Sequence, residues 1–155
     1  MLAENSKAPD FTLKNAAEQD VRLSDFAGKQ NVVLYFYPKD LTPGCTVEAL
    51  AFSALGKDFE QAQTKVLGIS MDSCEKHQKF IEKKELTVEL LSDPEGKVCE
   101  LYGVFKEKSM YGKTFMGIER STFVIDKEGV IRKVYRKVNP AGHAEKVLEF
   151  VKKGL

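Results

Sequence analysis

Cys45 stands among residue types that could make a cysteine sulfur reactive. It follows Thr42, Pro43 and Gly44, and the proline and glycine suit a tight entry into a helix that begins here. The first turn of a helix has free backbone N–H groups and the positive end of the helix dipole, which lower the pKa of a cysteine thiol. The Thr42 hydroxyl could donate a hydrogen bond to the thiolate or to a bound oxygen. These residues predict a nucleophilic thiol; the alternative is a cysteine that only fills space in a core.

Two predicted elements position this cysteine. Residues 32–37 read VVLYFY, which is typical of a strand buried on both faces of a sheet. Residues 46–63 follow as a predicted helix, whose buried stripe would comprise Val47, Ala51, Leu55, Phe59 and Ala62. Ligands of α/β proteins tend to bind where strands end, so Cys45 lies at a favourable place.

The rest of the chain alternates strand and helix patterns. We predict strands over 65–71, 121–126 and 130–135, a short hairpin over 11–13 and 20–23, helices over 75–84 and 95–102, and a C-terminal helix that buries Ala144, Val147, Leu148 and Val151. No repeat or linker interrupts this order, so we expect one domain over residues 1–155. The order favours an α/β sandwich, in which a mixed central sheet has helices on both faces.

Composition narrows the classes of function. The 155 residues are 43% hydrophobic and 30% charged, as in a globular domain with a real core. The net charge of +1 argues against a dedicated nucleic-acid or membrane-surface protein. We find neither the apolar run of a signal peptide at the start nor a stretch long enough to cross a membrane. Three widely spaced cysteines do not suit a secreted disulfide scaffold, so we expect a reducing, cytoplasmic setting.

Several motifs together resemble one enzyme family. Residues 37–49 read YPKDLTPGCTVEA, and the proline, threonine and cysteine at 38, 42 and 45 match the active-site motif of the peroxiredoxins, thiol peroxidases with a thioredoxin-like fold. The whole string resembles the bacterioferritin comigratory protein subfamily, also called peroxiredoxin Q. Further matches are APDFTL at 8–13, LSD at 91–93 and RSTFVID at 120–126. The likeness therefore covers nearly the whole chain.

The resemblance implies a role for each matched residue. Cys45 corresponds to the peroxidatic cysteine and Arg120 to the family's activating arginine, whose planar, charged guanidinium can hold a thiolate and a peroxide oxygen together. Thr42 would hydrogen-bond the peroxide, and Pro38 would shield the sulfur from bulk water. Backbone N–H groups at Gly44 and Cys45 would complete the pocket.

The resemblance also implies a reaction and its partners. Cys45 would attack hydrogen peroxide or an organic hydroperoxide, become a sulfenic acid, and be reduced again by thioredoxin or a similar dithiol, in antioxidant defence and redox homeostasis. No metal or organic cofactor, nucleic acid or membrane is implied. Most of the subfamily is monomeric, and we expect a monomer. Glu48 also matches the subfamily pattern, either as a residue that orients Arg120 or as a solvated residue of the first helical turn.

The sequence departs from the subfamily at the resolving cysteine. Many members place it five residues after the peroxidatic one, where this chain has Leu50, and others place it in the next helix, on or near Ile81. Cys74, Cys99 or a thiol of another molecule must then attack the sulfenic acid. We expect Cys74 at the same sheet edge as Cys45, and Cys99 in the core. An external thiol is the favoured interpretation, with Cys74 as the alternative.

Two further hypotheses fit these residues. A thioredoxin-like binding or holdase module would carry an incidental Cys45 that peroxide oxidises slowly, and a redox sensor would share the chemistry but need a partner. Cys74 and His77 are spaced to share one helix face and could bind a metal, but two ligands without a third are a weak signal, so we expect a solvated His77. His143 is expected to cap or flank the last helix rather than act as a base.

Overall fold

A mixed sheet of seven strands forms the centre of the computed structural model, which describes residues 2–155. The strands of the chain are β1 (Thr12–Asn15), β2 (Asp20–Arg22), β3 (Asn31–Phe36), β4 (Thr64–Ser70), β5 (Glu89–Ser92), β6 (Phe105–Met110), β7 (Lys113–Ile118), β8 (Ser121–Ile125) and β9 (Ile131–Tyr135). Their order in the sheet is β2-β1-β5-β4-β3-β8-β9, and β6 and β7 form a separate antiparallel hairpin. The helices are α1 (Pro43–Ala54), α2 (Gly56–Gln61), α3 (Cys74–Lys84), α4 (Lys97–Leu101) and α5 (His143–Gly154).

Strand β3 separates two apolar layers. It is buried along its whole length, and its side chains alternate between the two faces of the sheet. Val33 and Tyr35 pack with Tyr37 against the face that α1, α2, α3 and α5 cover, whereas Leu34 and Phe36 pack against the face that α4 covers. The prediction of a mixed sheet with helices on both faces is therefore confirmed. None of the helices in residues 2–155 is long and apolar enough to cross a membrane.

The register of the sheet brings distant parts of the chain to one edge. Strand β3 is parallel to β4, and β4 is parallel to β5, so all three end at the same edge. Strand β8 runs antiparallel to β3, with Ser121 opposite Phe36. Because Ser121 is the first residue of β8, Arg120 lies where β3 ends and the segment toward Cys45 begins.

The helix predicted over 46–63 is two helices, and its predicted buried stripe is partly wrong. Leu55, directly before Gly56, separates α1 from α2, consistent with the low helix propensity of glycine. Val47 is 48% exposed. The buried side of α1 instead consists of Cys45, Glu48, Ala49 and Phe52. The pattern of apolar residues did not predict that Glu48 is buried, because a charged side chain is rarely buried in a core.

The segment after residue 85 differs most from the prediction. The helix predicted over 95–102 is the short α4, and Pro94 lies in the turn before it, where the Gly96 N–H donates to the Asp93 carbonyl at 3.0 Å. Gly96 has a φ of 70°, so the backbone turns there and the helix begins after it. The short strand β5 and the hairpin β6–β7 were not predicted. Charged and polar residues in FKEKSM and KTFMGI weaken the apolar alternation that indicates a strand.

The other predicted elements are present with small shifts. The first hairpin is β1–β2, the strand predicted over 65–71 is β4, and the strands predicted over 121–126 and 130–135 are the antiparallel pair β8–β9. Helix α3 begins at Cys74, and α5 buries the four predicted residues Ala144, Val147, Leu148 and Val151.

Candidate active site

Cys45 lies in the first turn of α1, as the sequence predicts. Pro43 begins the helix, and the Thr46 N–H donates to the Thr42 carbonyl at 2.9 Å as its first hydrogen bond. The Cys45 side chain is only 1% exposed and packs with Ala49 in the core layer under α1. The sulfur therefore lies at the positive end of the helix dipole, as the sequence predicts.

Thr42 uses its hydroxyl hydrogen locally. Its Oγ1 donates to the Lys39 carbonyl at 2.7 Å. In this conformation the hydroxyl therefore offers its lone pairs, which can accept a hydrogen bond from a peroxide O–H. The expected donation to a thiolate would require the bond to Lys39 to break. Pro38 is exposed to solvent.

Arg120 joins the thiol to a buried carboxylate. Its Nη2 donates to Cys45 Sγ at 3.4 Å, and its Nη1 donates to Glu48 Oε1 at 2.7 Å. A Cβ at Gly44 would lie 3.1 Å from Nη2, so the absence of a side chain at position 44 leaves room for the guanidinium. The planar fork of the guanidinium thus fixes the sulfur and the carboxylate relative to one another.

Glu48 is fully buried beneath Arg120. Burial raises the pKa of the Glu48 carboxyl to about 7, because desolvation outweighs the opposing effect of Arg120. For Arg120 itself burial lowers the pKa, but Glu48 and Cys45 together raise it further, so the guanidinium keeps its charge. Within residues 2–155, Glu48 Oε2 and the buried Tyr35 hydroxyl have no hydrogen-bond partner. Of the two roles expected for Glu48, the contact matches the one that orients Arg120.

Lys108 interacts electrostatically with the charged groups around Cys45. Burial lowers the pKa of this lysine, Arg120 lowers it further, and Cys45 and Glu119 raise it, so these charges lie within electrostatic reach of one another. Lys108 belongs to β6, in the hairpin that sequence patterns did not predict, and no sequence signal pointed to it. Lys108 is therefore a second cation, beside Arg120, that can act on negative charge at this site.

The other two cysteines differ in access. Cys74 is the first residue of α3 and is partly buried, at the sheet edge predicted for it. Cys99 is fully buried, and burial and Asp93 raise the pKa of its thiol far above the ordinary value. All three cysteines are free thiols. Leu50, at the usual resolving position, is 43% exposed.

His77 is not solvated, so that prediction was wrong. It is fully buried; its Nδ1 lies 2.6 Å from Asp40 Oδ2, and its Nε2 lies 2.9 Å from the Leu91 carbonyl oxygen. Among residues 2–155, no group of three or more His, Cys, Asp or Glu side chains could hold a metal. The spacing of Cys74 and His77 could not reveal the partner, because Asp40 lies 37 residues earlier in the chain.

His143 is the first residue of α5 and is buried against Phe52 and Tyr135. Burial lowers its pKa to about 4, with smaller contributions from Lys146 and Arg120. Its Nε2 lies 2.8 Å from Thr122 Oγ1. A neutral, buried imidazole at the helix start agrees with the expectation that it flanks the last helix.

Comparison with known proteins places these residues in a family. The sequence pattern of the AhpC/TSA family matches residues 5–134. Peroxiredoxin Bcp of Bacillus subtilis strain 168 is 49% identical over 146 residues, which cover 94% of this chain and 92% of the relative. The chain belongs to the peroxiredoxins of the AhpC/TSA family. The predicted family and the predicted peroxidase activity are therefore confirmed.

Solved structures extend this likeness to the fold of the peroxiredoxin. The bacterioferritin comigratory protein of Xanthomonas campestris, studied for its alkyl peroxide reduction activity, is 43% identical with a TM-score of 0.87, over 92% of this chain and 90% of that one. A yeast mitochondrial 1-Cys peroxiredoxin, whose thiol is resolved through the glutathione/thioredoxin systems, is 27% identical with a TM-score of 0.83, over 98% of this chain and 76% of that one. This peroxiredoxin is a thiol peroxidase with a thioredoxin-like fold.

Proposed function

We propose that Cys45 is the peroxidatic cysteine of this peroxidase, and that Arg120, Thr42 and Pro38 complete its catalytic site. The observation that carries the proposal is the Arg120 guanidinium, which contacts both Cys45 Sγ and the buried Glu48 carboxyl. A fixed cation beside the sulfur stabilises the thiolate, which is the reactive form. The same cation stabilises charge on the oxygen that leaves.

The first half of the reaction oxidises Cys45. The thiolate attacks one peroxide oxygen, the O–O bond breaks, and the sulfur becomes a sulfenic acid. The other oxygen leaves as hydroxide or alkoxide beside Arg120 and takes a proton from solvent, giving water or an alcohol. Thr42 accepts a hydrogen bond from the peroxide O–H, and Pro38 limits access of bulk water.

An external thiol completes the cycle. It attacks the sulfenic sulfur, releases water and leaves a mixed disulfide, and a second thiol then reduces that disulfide and frees the Cys45 thiol. Positions 50 and 81 are leucine and isoleucine, and Cys99 is fully buried with a raised pKa, which disfavours it as an attacking thiolate. Thioredoxin or a similar dithiol would supply the two electrons.

The substrates in this proposal are hydrogen peroxide and organic hydroperoxides. The enzyme acts as a cytoplasmic monomer, folded as one domain over residues 1–155. Three cysteines without a disulfide pattern support a reducing compartment.

Replacement of the proposed nucleophile tests its role. Cys45→Ser should abolish peroxide consumption in the presence of a dithiol, because a serine hydroxyl has no accessible anionic form at neutral pH. Cys74→Ser is the matched control and should keep most of the activity. Unchanged turnover in Cys45→Ser, with circular dichroism showing an intact fold, would refute the assignment.

A further inference from the structure

We propose that His77 is a positioning residue for the peroxidase reaction. Through Asp40 it holds the active-site loop, residues 37–42, in the conformation that places Cys45 against Arg120. The inference rests on the proposed role of Cys45 and adds a residue from α3 that does not touch the sulfur. It explains why a fully buried histidine lies behind a loop of a catalytic site.

Asp40 is the anchor of the active-site loop. Its carboxyl accepts a hydrogen bond from the Tyr37 hydroxyl at 2.6 Å through Oδ1, and its Oδ2 lies 2.6 Å from His77 Nδ1. Its backbone N–H donates to Asp72 Oδ2 at 2.9 Å. Asp40 is itself buried, so water competes little for these bonds. Asp40 is therefore bonded to Tyr37 at the start of the loop, to the turn after β4 and to α3.

The protons on His77 follow from its partners. Nε2 faces the Leu91 carbonyl oxygen, which can only accept, so Nε2 carries a hydrogen. One further proton lies between Nδ1 and Asp40 Oδ2, either on the imidazole or on the carboxyl. In both forms the contact is a short hydrogen bond, and removing either side chain leaves the other buried without this partner.

Leu41, the next residue of the active-site loop, has a strained backbone conformation that other contacts must hold in place. Leu41 has a φ of 65°, in the left-handed region that side chains other than glycine rarely adopt. Its side chain is 43% exposed, so packing of that side chain does not compensate the strain. The Thr42 hydroxyl bonds to the Lys39 carbonyl on one side of Leu41, and the Asp40 bonds hold the other side. These contacts over-determine the strained backbone, as is common at catalytic sites.

Loss of the anchor should change two reactivities of Cys45 in opposite directions. A released loop no longer fixes the start of α1, so the sulfur separates from Arg120 and reacts more slowly with peroxide. Release of the loop also opens Cys45, which is only 1% exposed in the folded site, to solvent. Its sulfur should therefore react faster with a bulky aromatic disulfide reagent. A purely structural role for His77 would lower stability and leave both rates of the folded protein unchanged.

The test compares His77→Phe with Asp40→Ala, both in a Cys74→Ser background so that Cys45 is the reporting thiol. Each substitution should slow the reaction of Cys45 with hydrogen peroxide about 10- to 100-fold and speed its reaction with the bulky disulfide severalfold. The double variant should react with peroxide no more slowly than the slower single variant, because both substitutions remove the same His77–Asp40 contact. Asp40→Asn should keep nearly the parent rates, because its amide can donate to Nδ1 of a neutral His77.

Tyr102→Phe provides the control. It removes one partly buried hydrogen bond, from Tyr102 to the Pro9 carbonyl at 2.6 Å, in the other core layer, and should leave both rates unchanged. If His77→Phe does not fold, Asp40→Ala and Asp40→Asn decide the question by themselves. If His77→Phe and Asp40→Ala both react with peroxide at the parent rate, the role of His77 is overturned, provided that Cys45→Ser is inactive. An active Cys45→Ser would instead refute the proposed function.

Discussion

A single guanidinium connects the surface of this site to its buried interior. Arg120 contacts the sulfur with one nitrogen and the Glu48 carboxyl with another, at 3.4 and 2.7 Å. Glu48 is completely buried, so its carboxyl holds one nitrogen of the guanidinium from the core side while the other nitrogen contacts the sulfur. In the proposed mechanism the charge near the sulfur is therefore held in place before the peroxide arrives, which is the condition for strong electrostatic catalysis.

Arg120→Lys tests whether this two-sided contact matters. A lysine ammonium is a point charge on a flexible stem and cannot reproduce the planar fork. The second-order rate constant for reaction with hydrogen peroxide should fall about 100-fold, measured by single-turnover kinetics. Arg132→Lys on β9 is the matched control, because it replaces a guanidinium that forms an exposed ion pair with Asp126. Arg120→Lys with a rate within about twofold of the parent would show that charge alone suffices.

Glu48 should make stability depend on pH. Its carboxyl has a pKa of about 7 in the folded protein and an ordinary value near 4.5 in the unfolded chain, so the folded state binds more protons between these values. Stability contributed by the protonated form is present below pH 4.5 and is lost as the pH rises through 7. Glutamine mimics the protonated carboxyl at every pH.

Urea unfolding of Glu48→Gln and the parent at pH 5 and pH 8 measures this effect. The free energy of unfolding of Glu48→Gln minus that of the parent should be about 2 kcal/mol larger at pH 8 than at pH 5. A constant difference between the two proteins would contradict the raised pKa. A difference of the opposite sign would mean that the attraction of Arg120 outweighs burial.

At the scale of elements, the geometry of helix α1 determines how a thiol at position 50 could reach Cys45. Cys45 and position 50 differ by five residues, so their side chains point about 140° apart around the helix axis. A cysteine at position 50 could reach Cys45 only if the first turns of α1 unwind. Leu50 is 43% exposed, so a substitution there disturbs little packing.

Leu50→Cys should convert the cycle to an intramolecular one. After one equivalent of peroxide, the variant should lose two hydrogens in its intact mass and yield a peptide that links positions 45 and 50. The parent should show no such link. Identical oxidation products in the variant and the parent would mean that α1 does not unwind when Cys45 is oxidised.

The elements also show what sequence patterns can establish. The strand before Cys45, the place of Cys45 in the first turn of a helix and the β8–β9 pair follow from local patterns that need no distant partner, and the structure confirms them. The hairpin β6–β7 was missed because its strands are half polar, and Lys108 was missed with it. His77 was placed in solvent because its partner, Asp40, is brought to it only by the parallel pairing of β3 with β4.

At the scale of the whole molecule, the proposed cycle requires a buried sulfur to meet an external reductant. Cys45 is 1% exposed, between the helix layer and the edge of the sheet. The central strands β3, β4 and β8 are almost entirely buried, whereas the segment toward Cys45 contains the exposed residues Pro38, Leu41 and Pro43. Opening should therefore affect the loop and the start of α1 and spare the sheet.

Hydrogen exchange can follow this opening. When Cys45 is held as a mixed disulfide with a small thiol, amides of residues 40–50 should exchange at least about tenfold faster than in the reduced protein. Amides of β3 and β8 should keep their protection. Unchanged exchange in residues 40–50 would mean that the reductant reaches the sulfur in the folded conformation.

The most direct test of the central claim is peptide mapping of the reduced protein after one equivalent of hydrogen peroxide. The reaction mixture contains a nucleophile that traps sulfenic acids and contains no reductant. The assignment of Cys45 predicts that the trapped adduct lies on the Cys45 peptide, with Cys74 and Cys99 unmodified. An adduct on Cys74 or Cys99 while Cys45 stays a free thiol would contradict it.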